Sequence, residues 1–186
     1  AGDRVAIVVG NSPHFVIAYL ATIGLGAVAV PLNPSSPGPE LQSELTVVAP
    51  RVVVVDQIGA ANWSNVDRAA VPSIEVAVLT EPTAAADGVV AFDDLLAAAA
   101  VDVVEVDETQ LAVLMFTSGT AGSPRAAMLS HMNLQANLDQ SRSAQGHVSA
   151  DDVIYGVLPL FHIFGLNVVI GLGLCVGATL VLVQLL

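Results

Sequence analysis

The chain has 186 residues, of which 54% are hydrophobic and 12% are charged, and its formal net charge is -12. This length and apolar content predict a substantial buried core and exclude a disordered chain. Because all five basic residues are arginines, the sequence lacks the lysine-rich positive surface of a nucleic-acid-binding protein, and binding to anionic lipid headgroups is disfavoured. The single cysteine, Cys175, excludes an internal disulfide and, in its apolar surroundings, is predicted to be buried.

Strands and helices alternate along the first hundred residues. Short apolar runs predict strands, and capped or periodic runs between them predict helices. The predicted strands cover residues 5–9, 28–32, 51–56 and 74–79, and the predicted helices cover residues 13–25, 39–48, 60–70 and 92–100. Repeated βαβ order of this kind predicts an α/β fold with mostly parallel, doubly wound sheets.

The same alternation of strands and helices continues in the second half of the chain, after an acidic stretch between Asp87 and Glu108 that is predicted to be a solvated linker or helix face and not a metal site. Strands are predicted at 111–117, 153–157 and 179–183, and helices at 131–143 and 163–176. Ser130 occupies an N-cap position, so the segment before it is predicted to join a strand directly to a helix. We divide the chain into a first α/β unit, residues 1–108, and a second, residues 109–186.

Residues 166–186 form a nearly continuous apolar stretch that is long enough to span a membrane. Four glycines lie in or next to it, Asn167 and Gln184 interrupt it, and its last part is β-branched. These features favour a buried helix and strand over a membrane span, although a membrane-embedded segment stays an alternative.

One predicted loop contains most of the residues in the sequence that could bind a charged ligand. It consists of Thr117, Ser118, Gly119, Thr120, Ala121, Gly122, Ser123, Pro124 and Arg125. Hydroxyl groups, backbone N–H groups next to glycine and a guanidinium are the groups that bind an anion with several oxygens, so the loop predicts a polyphosphate site. The spacing after Gly119 does not match a Walker A loop.

The run LMFTSGTAGSPRAAMLSH resembles the phosphate-binding signature of the adenylate-forming acyl-CoA synthetases and ligases, which usually reads T-S-G-[TS]-T-G-x-P-K-G-V-x-x-S-H. Ala121 stands at a usual threonine, Arg125 at a usual lysine and Ala126 at a usual glycine. Arginine keeps the charge but presents a planar fork instead of a point charge, so the phosphate geometry is expected to differ. These departures put catalytic efficiency in doubt more than family membership.

The resemblance extends over essentially the whole chain. The runs GDRVAI, AYLATIGLGAVAVPLNP and PLFHIFGLN are similar to blocks of the N-terminal domain of the same enzymes. It implies that Phe161 and His162, in the last of these runs, lie beside the acyl and adenylate pocket. It also implies that the loop binds the β- and γ-phosphates of ATP, with Arg125 as the main protein cation and the Thr120 hydroxyl as a candidate contact to Mg²⁺.

A two-step reaction follows from the resemblance. A carboxylic acid, with a fatty acid as the predicted class, attacks the α-phosphate of ATP to give acyl-AMP, and coenzyme A then captures the acyl group. ATP, Mg²⁺ and coenzyme A are therefore the expected cofactors and substrates. We expect no nucleic-acid partner and no membrane span, and assembly into a homo-oligomer stays open.

Both ends of the sequence suggest a piece of a longer, cytoplasmic enzyme. The chain begins without Met or a basic leader and stops within an apolar run, so we expect no secretory signal. The family's later acidic block, its ribose-binding Asp and its C-terminal lysine have no counterpart here, so the fragment alone is expected to be inactive. Two alternatives stay open: a fatty acyl-AMP ligase that supplies a carrier protein, and a noncatalytic nucleotide-binding module.

Overall fold

The structure is a computed structural model that describes residues 2–81, 87–117, 124–143 and 148–184. Its main element is a sheet with the strand order β5-β4-β3-β1-β2-β6-β7, counted within the described residues. The strands of this sheet are β1 Arg4–Val8, β2 Val28–Pro31, β3 Val52–Val55, β4 Val76–Leu79, β5 Val89–Ala91, β6 Leu111–Phe116 and β7 Ala126–Ser130. Every neighbouring pair is parallel except β6 and β7. The predicted α/β fold with a mostly parallel sheet is confirmed.

Helices cover both faces of this sheet. They are α1 Pro13–Gly24, α2 Gly38–Val48, α3 Gln57–Trp63, α4 Phe92–Leu96 and α5 His131–Ser143. Side chains alternate along β1, so Ala6 and Val8 pack in one core with α2, whereas Ile7 and Val9 pack in the other core with α1. The sheet is therefore buried on both sides, which explains why its central strands are continuous apolar runs.

The local signals explain where several helices begin. The Ser12 side chain accepts a hydrogen bond from the N–H of Phe15, and Pro13 occupies the first turn of α1. At α5, Ser130 and Asn133 cap each other, because the Asn133 N–H donates to Ser130 Oγ at 3.2 Å and the Ser130 N–H donates to Asn133 Oδ1 at 3.0 Å. The predicted starts of α1 and α5 are confirmed.

Other boundaries differ from the prediction. The helix expected at 60–70 is two elements, α3 Gln57–Trp63 and a 3₁₀ turn at Arg68–Ala70, because Asp56 and Asp67 each cap a new start. The short strand β5 was not predicted. The helix expected at 92–100 ends at Leu96, since the alanines after it are exposed and gain nothing from packing.

The strands before and after the predicted phosphate loop form a β-hairpin. Strand β6 is followed by β7, which pairs antiparallel with it from Phe116 opposite Ala126 to Leu111 opposite Ser130. The prediction that the loop joins a strand directly to a helix was wrong. The sequence from Ala126 to Ser130 is short and has no alternating apolar pattern, and its exposed position at the sheet edge explains why.

A second, two-stranded parallel sheet contains β8 Val153–Gly156 and β9 Thr179–Leu182. Between these strands the chain forms a π-helix, Phe164–Leu172, and then α6, Gly173–Val176. Of the residues that the structure describes, none form a helix long and apolar enough to cross a membrane. Cys175 is exposed and its sulfur lies 3.9 Å from the Arg142 guanidinium, so its predicted burial was wrong.

The first sheet takes strands from both predicted units, because β6 and β7 extend the sheet formed by β1 to β5. The division at residue 108 stays a prediction.

Glu44 on α2 is a source of pH-dependent stability. Its Oε2 atom is buried without a hydrogen-bond partner, and burial, followed by the nearby Glu40 charge, raises its pKa from 4.5 to about 7. An ionised Glu44 therefore costs the folded state free energy, and stability falls as the pH rises from about 4.5 through 7.

We expect Glu44→Gln to stabilise the chain at pH 8 by about 1 kcal/mol, a figure reduced for the partial exposure of the side chain, and to have no such effect at pH 5. Urea unfolding at both pH values measures this difference. Glu105→Gln, at an exposed position outside α2, controls for the change in net charge. Equal effects of Glu44→Gln at the two pH values would contradict the assignment.

Candidate functional site

The two ends of the predicted phosphate loop are fixed by the β6–β7 hairpin. Thr117 follows β6, Arg125 precedes β7, and the Thr117 N–H donates to the Arg125 carbonyl at 3.2 Å. This hydrogen bond closes the base of the loop. The predicted site residues Ser118, Gly119, Thr120, Ala121, Gly122 and Ser123 lie outside the described residues.

Arg125 is exposed at this base. Within the described residues, the ion pairs are those of Arg51 with Asp3 and Glu75, so no described carboxylate neutralises Arg125. A cation that pairs with none of the described carboxylates, held next to the ends of a hairpin, is available for an anionic ligand.

The described ends of the loop, Thr117 and Arg125, lie at the carboxyl edge of the sheet. Strands β1, β2 and β6 are adjacent and parallel, so the residues that follow them share one edge. These residues include Gly10 and Asn11 after β1, Asn33 after β2 and Thr117 after β6. Strand order reverses at β1, because β2 lies on one side of it and β3 on the other, and such an edge is where open α/β sheets bind ligands.

Asn11 joins this edge to the second sheet. Its side-chain amide donates to the carbonyl oxygens of Leu158 at 2.9 Å, Val183 at 3.1 Å and Gly156 at 3.3 Å. Its Oδ1 accepts from the Leu160 N–H at 2.9 Å. One side chain therefore holds the carboxyl ends of β8 and β9 and the start of the segment that carries Phe161 and His162.

The segment Pro159 to His162 is fixed from two more directions. Leu160 is fully buried in the core that contains α1. The backbone of the π-helix also comes so close that a Cβ atom on residue 165 would collide with the Pro159 carbonyl oxygen and lie 3.0 Å from Leu160 Cα. Only glycine fits at position 165 without a shift of the backbone.

Phe161 and His162 line different depressions. Phe161 is half-buried and borders a small cleft of about 190 Å³ at the carboxyl ends of β1 and β2, with Gly10, Asn11 and Asn33. His162 is exposed and its Nδ1 accepts from the Phe164 N–H at 3.3 Å, which leaves Nε2 as the ring atom available to a ligand.

The larger depression, here called the His162 groove, has a volume of about 540 Å³. It lies between β7, α5 and the π-helix and is lined by Leu129, Asn133, Leu134, Asn137, Ser141, His162, Ile163, Phe164, Asn167 and Val168. Leu129 belongs to the strand that follows Arg125, so the hairpin and the His162 segment share this groove. Its lining is mainly apolar with a few amide and hydroxyl groups, which suits a small organic molecule.

Asn167 stabilises one wall of the groove. It is 3% exposed, and its side-chain amide donates to Asn137 Oδ1 at 2.7 Å and to the Leu134 carbonyl at 3.2 Å. These bonds tie the π-helix to α5. The groove therefore has rigid walls on two sides.

Sequence analysis missed Asn11 and Gly165 as site residues. The sequence analysis assigned no role to Asn11, although an amide shortly after a buried strand of a parallel sheet lies at the edge where sites are found. Gly165, between the aromatic Phe164 and the apolar Leu166, carried a weaker signal of close backbone contact. The bonds of Asn11 span more than 140 residues, and no local pattern predicts them.

Within the described ranges, no group of three or more His, Cys, Asp or Glu residues could hold a metal ion. The predicted Mg²⁺ contact, the Thr120 hydroxyl, lies outside those ranges. Magnesium binding therefore stays a prediction.

Comparison with known proteins shows which enzymes the sequence of this chain is similar to. The AMP-binding enzyme family matches residues 1–185. The chain is similar to 4-coumarate-CoA ligase 3 of Oryza sativa subsp. japonica, with 32% identity over 188 residues that cover 98% of this chain and 33% of the relative. The chain thus spans about a third of the length of the curated relatives it matches.

Solved structures show the same architecture. ATP-bound MatB from Rhodopseudomonas palustris is 30% identical and superposes with a TM-score of 0.79 over 97% of this chain and 35% of its own. The anthranilate CoA ligase AuaEII in complex with anthranoyl-AMP superposes with a TM-score of 0.90 over 100% of this chain and 36% of its own, and at 22% identity it supports the fold alone. The chain belongs to the AMP-binding enzyme family, the adenylate-forming enzymes whose phosphate-binding signature its hairpin resembles.

Proposed function

We propose that the chain is part of an ATP-dependent acid-thiol ligase that converts a carboxylic acid to acyl-AMP and then to a thioester of coenzyme A. The observation that carries this proposal is the family match over residues 1–185, and it is supported by the position of Thr117 and Arg125, the described ends of the predicted loop, at the carboxyl edge of the sheet. In the first step a carboxylate oxygen bonds to the α-phosphorus and pyrophosphate leaves. In the second step the coenzyme A sulfur bonds to the acyl carbon and AMP leaves.

The loop from Thr117 to Arg125 has the role of holding the β- and γ-phosphates. Charge moves onto pyrophosphate as it leaves, so donors fixed at the leaving group stabilise the transition state more than the ground state. Arg125 is the cation for this charge, supported by Thr117, Ser118, Thr120, Ser123 and the backbone around Gly119, Ala121, Gly122 and Pro124. Mg²⁺ supplies further neutralisation when ATP is bound.

The His162 groove has the role of binding the acid. Its apolar residues Leu129, Ile163 and Phe164 suit the organic part of the substrate, and the Nε2 of His162 is a donor for the carboxylate or the adenylate. Phe161, which borders the separate cleft beside Gly10 and Asn11, is the second residue that we assign to the acyl and adenylate pocket. We propose a fatty acid as the substrate class, because the lining offers no described cation for a second acidic group.

An aromatic acid is the second candidate. It is favoured because the curated relatives with 29% to 32% identity include several named 4-coumarate-CoA ligases. A groove of about 540 Å³ has room for a phenylpropanoid as well as for an acyl chain.

The test is to identify the products made by the full-length parent protein. It is incubated with ATP, Mg²⁺ and either fatty acids of increasing length or aromatic acids, with and without coenzyme A, and products are identified by mass spectrometry. We expect acyl-AMP without coenzyme A and the thioester with it. The 186-residue chain alone is the negative control, since we propose that it is inactive.

The other outcomes assign the other functions. Acyl-AMP that is never converted to a thioester, but is passed to a carrier protein, identifies an acyl-AMP ligase. ATP binding without a product from any acid identifies a noncatalytic nucleotide-binding module and overturns the proposal.

A further inference from the structure

We infer that Asn11 is a positioning residue that sets the orientation of Phe161 and His162 and thereby the affinity of the parent enzyme for its acid. This inference rests on the proposed function, because it assigns acid binding to the groove beside His162. No step of the proposed reaction requires Asn11 to touch a substrate, so its role is distinct from that of the phosphate loop.

The first argument is the number of bonds that one side chain makes. An asparagine amide has two N–H donors and one carbonyl acceptor, and Asn11 uses both kinds of group, on the segment 156–160 and on the residue that follows β9. Its three carbonyl partners lie on residues 156, 158 and 183, and its donor partner is the N–H of Leu160. A surface asparagine that only caps a helix does not need such a set.

The second argument is the location of these bonds. The Leu160 N–H precedes Phe161 by one residue and His162 by two. The Leu160 side chain is fully buried, so its backbone is held on one side by the core and on the other by Asn11. With both anchors in place, Phe161 and His162 leave the segment in fixed directions, towards their separate depressions.

The third argument is that Asn11 is itself anchored. It follows Gly10, whose N–H donates to Asp56 Oδ2 at 2.8 Å, and the other oxygen of Asp56 caps α3 through the Gly59 N–H at 2.9 Å. The position of Asn11 is thus fixed by β1 and β3 of the main sheet. The main sheet, through Asn11, sets the geometry of the His162 segment.

The experiment compares the full-length parent with three variants: Asn11→Ala, Asn11→Asp and Val48→Ala. Val48 is 3% exposed on α2, on the other face of the sheet, and its truncation destabilises the fold without touching the site. Hydrogen exchange by mass spectrometry follows a peptide that contains Leu160, and initial rates give KM for the acid and for ATP separately.

We expect Asn11→Ala to speed exchange in the peptide around Leu160 about tenfold and to raise KM for the acid about tenfold, with KM for ATP changed by less than about twofold. Asn11→Asp should be no better than the alanine variant, because it keeps the acceptor for Leu160 but places a carboxylate against three carbonyl oxygens. Val48→Ala should change neither quantity.

Two results would overturn the inference: an Asn11→Asp variant that behaves like wild type, or faster exchange around Leu160 with an unchanged KM for the acid. If the wild-type parent activates no acid, the proposed function fails instead. In that case unchanged exchange in Asn11→Ala would also refute the positioning of the segment, and faster exchange would leave only its acid-binding consequence refuted.

Discussion

Replacing Arg125 with alanine should lower the rate of acyl-AMP formation by the parent enzyme about 100- to 1,000-fold, whereas Arg125→Lys should retain most of the activity. The reason is that Arg125 is the cation at the base of the hairpin and that the described carboxylates leave it unpaired. Removing it takes away a charge-assisted contact at the point where negative charge develops. Arg125→Lys keeps the positive charge, and lysine is the residue that the family signature usually has at this position. Steady-state rates of pyrophosphate release measure the effect.

Arg51→Ala is the matched control for Arg125→Ala. It removes the same charge, but Arg51 lies at the amino edge of the sheet, where its pairs with Asp3 and Glu75 are exposed. Exposed pairs contribute little to stability, so this variant should keep both its fold and its rate. Equal rates in the Arg51 and Arg125 alanine variants would refute the role of Arg125.

Replacing Gly165, in the π-helix, with alanine should be the most damaging single methyl addition among the described glycines from Gly156 to Gly177. The new Cβ would collide with the Pro159 carbonyl oxygen, which is backbone and cannot rotate away. The π-helix must then move off the segment that carries Phe161 and His162. We expect a loss of about 3 kcal/mol in the free energy of unfolding. Urea unfolding of the 186-residue chain measures it.

Gly24→Ala is the control for this prediction. Gly24 ends α1, and a Cβ there would lie 3.8 Å from Val103, an ordinary van der Waals distance. Alanine favours the helix over glycine, so this variant should be as stable as wild type or more stable. If Gly165→Ala matched it in stability, the close packing of the π-helix against Pro159 would be wrong.

Sequence patterns predicted the first half of the fold well. The central strands are buried on both faces and therefore read as unbroken apolar runs, and helix starts such as Ser12-Pro13 carry local caps. The apolar stretch that begins at residue 166 was also assigned correctly to a helix and a strand over its described part, because its glycines and the polar Asn167 and Gln184 do not fit a membrane span.

The hairpin and the exposed elements were harder to predict. Strand β7 has no alternating pattern, because it is an edge strand with little burial, and only its pairing with β6 makes it a strand. The exposure of Cys175 follows from the side of α6 that faces Arg142, which an apolar sequence context does not reveal. Both errors concern tertiary contacts.

For the candidate site, the sequence analysis identified several site residues but not the residues that hold them in place. Arg125, Phe161 and His162 were found from the resemblance to the family signature and its next block. The structure adds that Phe161 and His162 line different depressions. It also shows that Asn11 and Gly165 pack against the segment that carries these two residues and hold it in place. The bonds of Asn11 join parts of the chain about 150 residues apart, so no local pattern predicts them.

The measurement that tests the central claim most directly is isotope exchange between pyrophosphate and ATP by the full-length parent protein. Labelled pyrophosphate, ATP and Mg²⁺ are supplied with and without fatty and aromatic acids. Our account predicts that label enters ATP only when an acid is present, because reversal of acyl-AMP formation is the route by which pyrophosphate returns to ATP. Exchange with no acid, or none with any acid while ATP still binds, would contradict it.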